Sequence, residues 1–258
     1  MIEIINAWPV FLLIFIRVTS FFVTVPLFSY RNIPAVHKVG FSFFLSYIMF
    51  FTIEHPIIEI DEKFFLLLLK EILVGLLLGL IAFMVMSAVQ IAGGFIDFQM
   101  GFAIANVIDP QTGAQSPIMG QYLYTFAMLL MLSIDAHHLL LDGIFYSYKF
   151  IPLNELSISL GSEKLAALIA KTFGTMFIIA FQMSIPIVGC LFLVDLALGI
   201  TARTVPQLNI FVVGLPVKIL ASFFILLAVL PAFMFLFEKL FESMILSMRS
   251  LLQIFGGL

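Results

Sequence analysis

The sequence is poor in charge. It holds 12 Lys and Arg and 15 Asp and Glu in 258 residues, 10% of the chain, against about 25% in an ordinary soluble domain. The net charge of −3 leaves no basic field of the kind that binds nucleic acid. Cysteine is nearly absent: Cys190 is the single one, set in an apolar run. A disulfide within the chain and a cysteine-based metal site are both excluded, and Cys190 reads as a small packing residue. The sequence has no nucleotide-binding P-loop and no H-E-x-x-H pair. Ser116 in GAQSPI stands outside any G-x-S-x-G elbow. The opening MIEIINAWPVF lacks the basic stretch of a signal peptide, so its apolar run is expected to stay in the mature protein.

What the chain has instead is apolar side chains. They make up 63% of it, and the mean hydropathy is +1.21. A soluble core of this size could not hide that much apolar surface, because much of any folded surface faces water. A bilayer removes the constraint. Crossing its hydrocarbon takes about 20 helical residues. The apolar runs 7–28, 39–53, 64–96, 118–141, 165–198 and 210–237 give about six helical segments. The runs are continuous rather than alternating, which favours helices over a barrel. The reading is an all-α membrane protein forming one bundle. Segment 39–53 is short for a span, while 64–96 and 165–198 are long, which implies bends at Gly93-Gly94 and Pro186 or extension beyond the bilayer. Residues 142–164 read as a surface excursion and TARTVPQLN (201–209) as a tight polar turn.

Basic residues do not settle the orientation. Six alternating spans put Arg31, Lys38 and Arg203 on one side and Lys63, Lys149, Lys164, Lys239 and Arg249 on the other, a weak asymmetry by the positive-inside rule. Further ionisable groups lie in apolar surroundings: Arg17, the adjacent Lys70-Glu71, Asp97, Lys171, Asp195 and Lys218. Unpaired charges at mid-bilayer cost about 2.5 kcal/mol or more each, so such groups face a partner or water. They fit a charged pathway, pairing at subunit interfaces, or helices that end earlier than hydropathy suggests. Being adjacent, Lys70 and Glu71 should point in different directions around a helix.

Asp135, His137, His138 and Asp142 invite a metal test. Asp135, His138 and Asp142 are spaced to share a helical face, and oxygen and imidazole ligands suit zinc or manganese. With no ligand evident from another helix, the cluster reads as a helix end at the membrane interface. No metal and no cofactor are expected.

The segment GGFIDFQMGFAIANVIDPQTGAQSPIMGQ (93–121) carries five glycines, two prolines and no Lys or Arg. One helix stops here and another begins near Ser116, a plausible N-cap with Pro117 at the first helical position. Uncharged irregular backbone beside apolar helices is tolerated where protein or a water-filled cavity surrounds it. The segment therefore suits a re-entrant loop or pore plug, with an exposed loop as the plainer alternative.

GFAIANVIDPQTGAQSPIMGQ with LLMLSIDAHHLLL, the opening RVTSFFVTVPLFSYRNIPAVHKVG, and DLALGITARTVPQLNIFVVGLPVK together resemble the FliR family of flagellar export-gate proteins. The related injectisome subunits are of the SctT type. The resemblance spans essentially the whole chain. It implies a non-enzymatic subunit that assembles with FliP and FliQ into a type III export gate in the bacterial inner membrane. FlhB and FlhA would be associated, and unfolded flagellar subunits would pass through. It also implies a FliP-like front part over 1–164 and a FliQ-like hairpin and tail over 165–258. The plug of the closed channel would fall at about 105–117. Phe102, Ile104, Asn106, Val107, Ile108, Asp109, Pro110 and Gly113 would contribute to it. Arg17, Lys70, Glu71, Asp97, Asp195, Arg203 and Lys218 would be buried ionisable groups at interfaces or the pore. An ion- or proton-coupled small-solute transporter, using Arg17, Asp97, Asp195 and Lys218 as relay groups, is the rival reading from the residues alone.

Overall fold

A computed structural model describes residues 2–29, 33–53, 56, 58–102, 117–156, 161–207 and 209–257. Among these the chain is all helical. Its elements are α1 (Ile2–Thr24), α2 (Ala35–Phe50), α3 (Glu62–Met100), α4 (Ile118–Ser133), α5 (Ala136–Phe150), α6 (Glu163–Thr204) and α7 (Ile210–Phe255). Three of them, α3, α6 and α7, are long and apolar enough to cross a membrane. The α4–α5 pair makes a fourth if its pieces form one span.

Several extents differ from the hydropathy reading, each for a physical reason. Helix α3 runs unbroken through Gly93-Gly94 and α6 through Pro186. A helical glycine costs only about 1 kcal/mol, and packed neighbours can re-satisfy the bond a proline removes. The run 118–141 is two helices, because Asp135 adopts a left-handed φ of 57° between them. Helix α5 then extends to Phe150, into the stretch expected as an excursion. Its buried Leu140, Ile144, Ser147 and Tyr148 keep a helical period that polar neighbours had obscured. Helix α7 continues past residue 237 for the same reason. Glu238, Lys239, Glu242 and Arg249 are exposed, while Leu240, Phe241, Met244, Met248 and Leu251 line a buried stripe. Helix α6 runs to Thr204, so the TARTVPQ turn is confined to the residues after it.

The chain forms two compact units, each assembled from separated stretches: 1–85, 135–173 and 242–258 in the first, 86–134 and 174–241 in the second. In the first unit α1 packs on α2 through aromatic side chains. Phe11 meets Phe43 and Phe50 edge-on at centroid distances of 5.4 and 6.0 Å, and Phe22, Phe28 and Phe41 form a second knot. Helix α3 lies against α1 along Gly75 and Gly79. A Cβ at either would collide with Arg17 backbone oxygen or with Thr24, so the small residues set the approach. Thr24 hydroxyl donates to Leu76 carbonyl at 3.2 Å.

In the second unit α3 and α4 touch backbone to backbone at Gly93 and Gly120. Phe95 packs edge-on against Phe181, and Phe126 lies tilted against Phe237. Cys190 is exposed on α6 and packs into no core within the chain itself.

Candidate functional site

The chemistry-bearing side chains gather at two places, one in each unit. In the first unit Arg17 is fully buried in the C-terminal half of α1. Its guanidinium grips Glu71 of α3 in a fork: Nε meets Oε2, and Nη2 donates to Oε1 at 2.9 Å. Nη1 donates to Ser147 Oγ at 2.9 Å and Nη2 to Ile151 carbonyl at 3.0 Å. The Tyr148 ring lies 4.0 Å from the guanidinium carbon, close enough for a cation–π contact. Tyr148 hydroxyl donates to Ile14 carbonyl.

Lys70 does not point away from Glu71. Its Nζ stands 2.8 Å from Oε1, because four flexible carbons bring the ammonium around the helix. The same Nζ donates to the carbonyls of Pro152, Leu153 and Glu155 at 2.7, 3.3 and 3.0 Å. Two cations thus share one carboxylate. The excess positive charge meets the C-cap carbonyl of Ile151 and the carbonyls of the turn that follows α5. Four of the five N–H donors of Arg17 are taken. The contacts make an electrostatic pin between α1, α3 and the end of α5.

The second place brackets the irregular segment. Helix α3 ends at Met100 and Gly101 follows with φ +92°. Asp97, in the last turn of α3, is 1% exposed. Both of its oxygens accept from Met119 N–H at 3.1 Å, and the carboxylate lies against the amides of Ile118 and Gly120. Pro117, not Ser116, is the N-cap of α4, and it supplies no side-chain cap. Asp97 of α3 therefore caps α4 from outside, where free amides and the positive dipole end favour an anion. The start and end of the segment are held to one carboxylate.

Of the residues expected in a plug, Phe102 is half-buried just beyond α3. Ile104, Asn106, Val107, Ile108, Asp109, Pro110, Gly113 and Ser116 lie outside the described residues. In the same unit Asp195 of α6 accepts from Lys218 of α7, Nζ lying 2.9 Å from Oδ1 and 3.0 Å from Oδ2. Gln99 Nε2 of α3 donates to the same carboxylate at 2.8 Å. The Lys218 side chain is 18% exposed and that of Asp195 38%, so the pair is partly buried within the chain. Arg203, expected to be buried, is exposed at the last turn of α6.

Sequence reasoning found the ions but not their partners. Gln99 was visible as a polar residue two positions from Asp97 in an apolar helix. Ser147 and Tyr148 carried no signal, since their stretch did not read as helix. Asp142 stands apart from the Asp135 group, while His137 joins it: the left-handed residue 135 breaks the helical register that spacing assumed.

Comparison with known proteins places this geometry. A family model described as bacterial export proteins, family 1, matches residues 8–244. The chain is 60% identical over 255 residues to the flagellar biosynthetic protein FliR of Bacillus subtilis, covering 98% of each chain. It is 27% identical over 237 residues to the FliR protein of Escherichia coli, covering 92% of this chain and 88% of that one. It is 31% identical over 164 residues to the Yop proteins translocation protein T of Yersinia pestis, covering 63% and 62%. With the family match spanning nearly its whole length, the chain belongs to the bacterial export proteins, family 1.

Proposed function

We propose that this chain builds part of the wall of a flagellar type III export gate, together with FliP- and FliQ-type subunits. Unfolded flagellar polypeptides pass through it, and the segment around 105–117 helps to plug the closed channel. Membership of the family makes the chain a membrane-embedded component of a flagellar export apparatus and not an enzyme. The finer assignment to a gate in the inner membrane, with FlhB and FlhA nearby, is our reading. So is the division into a FliP-like part over 1–164 and a FliQ-like hairpin over 165–258.

The observation that carries it is the Asp97 clamp. A glycine- and proline-containing segment without Lys or Arg leaves one apolar helix and enters another, with both ends tied to a buried carboxylate. A loop anchored at its base can change conformation at its tip while the flanking helices stay folded. An apolar tip in a wet pore closes it by excluding water. The long α6–α7 hairpin supports the remainder of the reading: its apolar faces are poorly covered within the chain. The transporter reading lacks comparable support, since Arg17 and Asp97 are both committed to fixed partners.

Deleting residues 106–112 tests the plug. The expected outcome is an assembled apparatus that leaks small ions and reduces motility. Normal impermeability in an assembled gate would sink the assignment. Co-purification from native membranes tests the assembly, with FliP and FliQ homologues expected to accompany the chain.

A further inference from the structure

We propose that Asp135, His137 and His138 form a binding site for a divalent transition-metal ion of the zinc type, at the break between α4 and α5. One ligand atom from each residue lies within 4.8 Å of the other two. Ligand atoms around one zinc ion sit about 3–4 Å apart, given metal–ligand bonds of about 2.0–2.2 Å. Small side-chain rotations of the two exposed residues, Asp135 and His138, therefore complete the site without moving backbone.

Two independent observations point to a ligand. The first is the carboxylate of Asp135. It occupies the N-cap position of α5, where aspartate ordinarily accepts a backbone amide, yet it makes no such bond. The second is His137. Its Nδ1 is buried and without a hydrogen-bond partner, an unfavourable state for a polar atom that a bound species relieves. The two imidazoles lie side by side with centroids 4.2 Å apart, and two imidazoles with one carboxylate form a donor set that zinc accepts. The helix dipole opposes a cation at this end only weakly. Among the described residues no fourth protein ligand joins the group, so water completes the coordination. The site is structural: it ties the left-handed residue at the break to the first turn of α5.

The test uses the full-length protein in detergent, purified without a histidine tag, stripped with chelator and titrated with Zn2+ against a chromogenic zinc indicator. One Zn2+ per chain is expected. Asp135→Asn and His137→Ala should each weaken binding at least tenfold, while His37→Ala leaves it unchanged. His138→Cys should retain binding and give Co2+ a thiolate charge-transfer band absent from the unsubstituted protein. Far-UV circular dichroism and elution volume check the fold. Should His137→Ala fail to fold, the two exposed positions carry the test. Absence of stoichiometric binding, or binding that survives these substitutions unchanged, overturns the proposal.

Discussion

Glu71 is the residue whose loss this chain should feel most. It is the one anion between Arg17 and Lys70, all three at most 3% exposed. Removing one partner of a buried ion pair costs about 3–5 kcal/mol, because the other charge is left uncompensated. We expect Glu71→Ala to lower the unfolding temperature sharply in detergent and to deplete the protein from membranes. Ser147→Ala removes one hydrogen bond from the same guanidinium and should cost only about 1–2 kcal/mol. Arg17→Lys should fall between them, since an ammonium cannot reproduce the fork onto Glu71. If the three variants proved equally stable, the pin would not hold the unit together. Asp97 makes a different prediction at the same scale. Asp97→Ala frees the N–H of Met119 and loosens the base of the segment while leaving the span apolar. Ion leakage in an assembled apparatus is the expected signature, and a tight gate would show that the clamp is dispensable.

At the level of helices, small residues decide where elements cross. Gly93 and Gly120 bring α3 and α4 into backbone contact, and a Cβ at Gly93 would land on the backbone of residue 120. No side chain can give way there, so Gly93→Ala should destabilise by about 1–3 kcal/mol or more. Gly174 and Gly189 of α6 have nothing within 4 Å of a modest added Cβ. Alanine at either should be neutral or stabilising by about 0.5–1 kcal/mol in the isolated chain, through helix propensity alone. Thermal melts of the three variants distinguish packing glycines from tolerated ones. These elements were unevenly legible in the sequence. Apolar runs placed most of the helices, because hydrocarbon demands continuous apolar length. The ends were obscured where amphipathic turns carry charge without ceasing to be helix, as in Glu238–Arg249 of α7. The break at Asp135 was hidden because aspartate in a left-handed conformation looks no different from aspartate inside a helix. The partners of Arg17 and Lys70 were beyond reach, since they are set by folding rather than by spacing.

The molecule as a whole is unevenly covered. In the most apolar stretch of α3, 56% of residues are buried within the chain, against 33% in α6 and 17% in α7. Phe224 of α7 is 73% exposed and Phe235 66%, too apolar to face water on this scale. Either lipid or other subunits cover these faces, and the two covers respond differently to charge. Phe224→Asp should leave the first unit folded. If subunits cover α7, it should abolish co-purification with export-apparatus partners while the chain remains in the membrane fraction. Lipid cover predicts loss of membrane insertion instead. The pin in the first unit also has a consequence for biogenesis. Lys70 finds its carbonyls 82 to 85 residues further along the chain. At about 5–20 residues per second, translation takes roughly 4–17 s to deliver them. During that interval α3 leaves the ribosome with a lysine that has Glu71 beside it but none of its three carbonyl partners. Until residues 152–155 emerge, the excess positive charge of Lys70 and Arg17 over Glu71 has to be met by water, lipid headgroups or the insertion machinery.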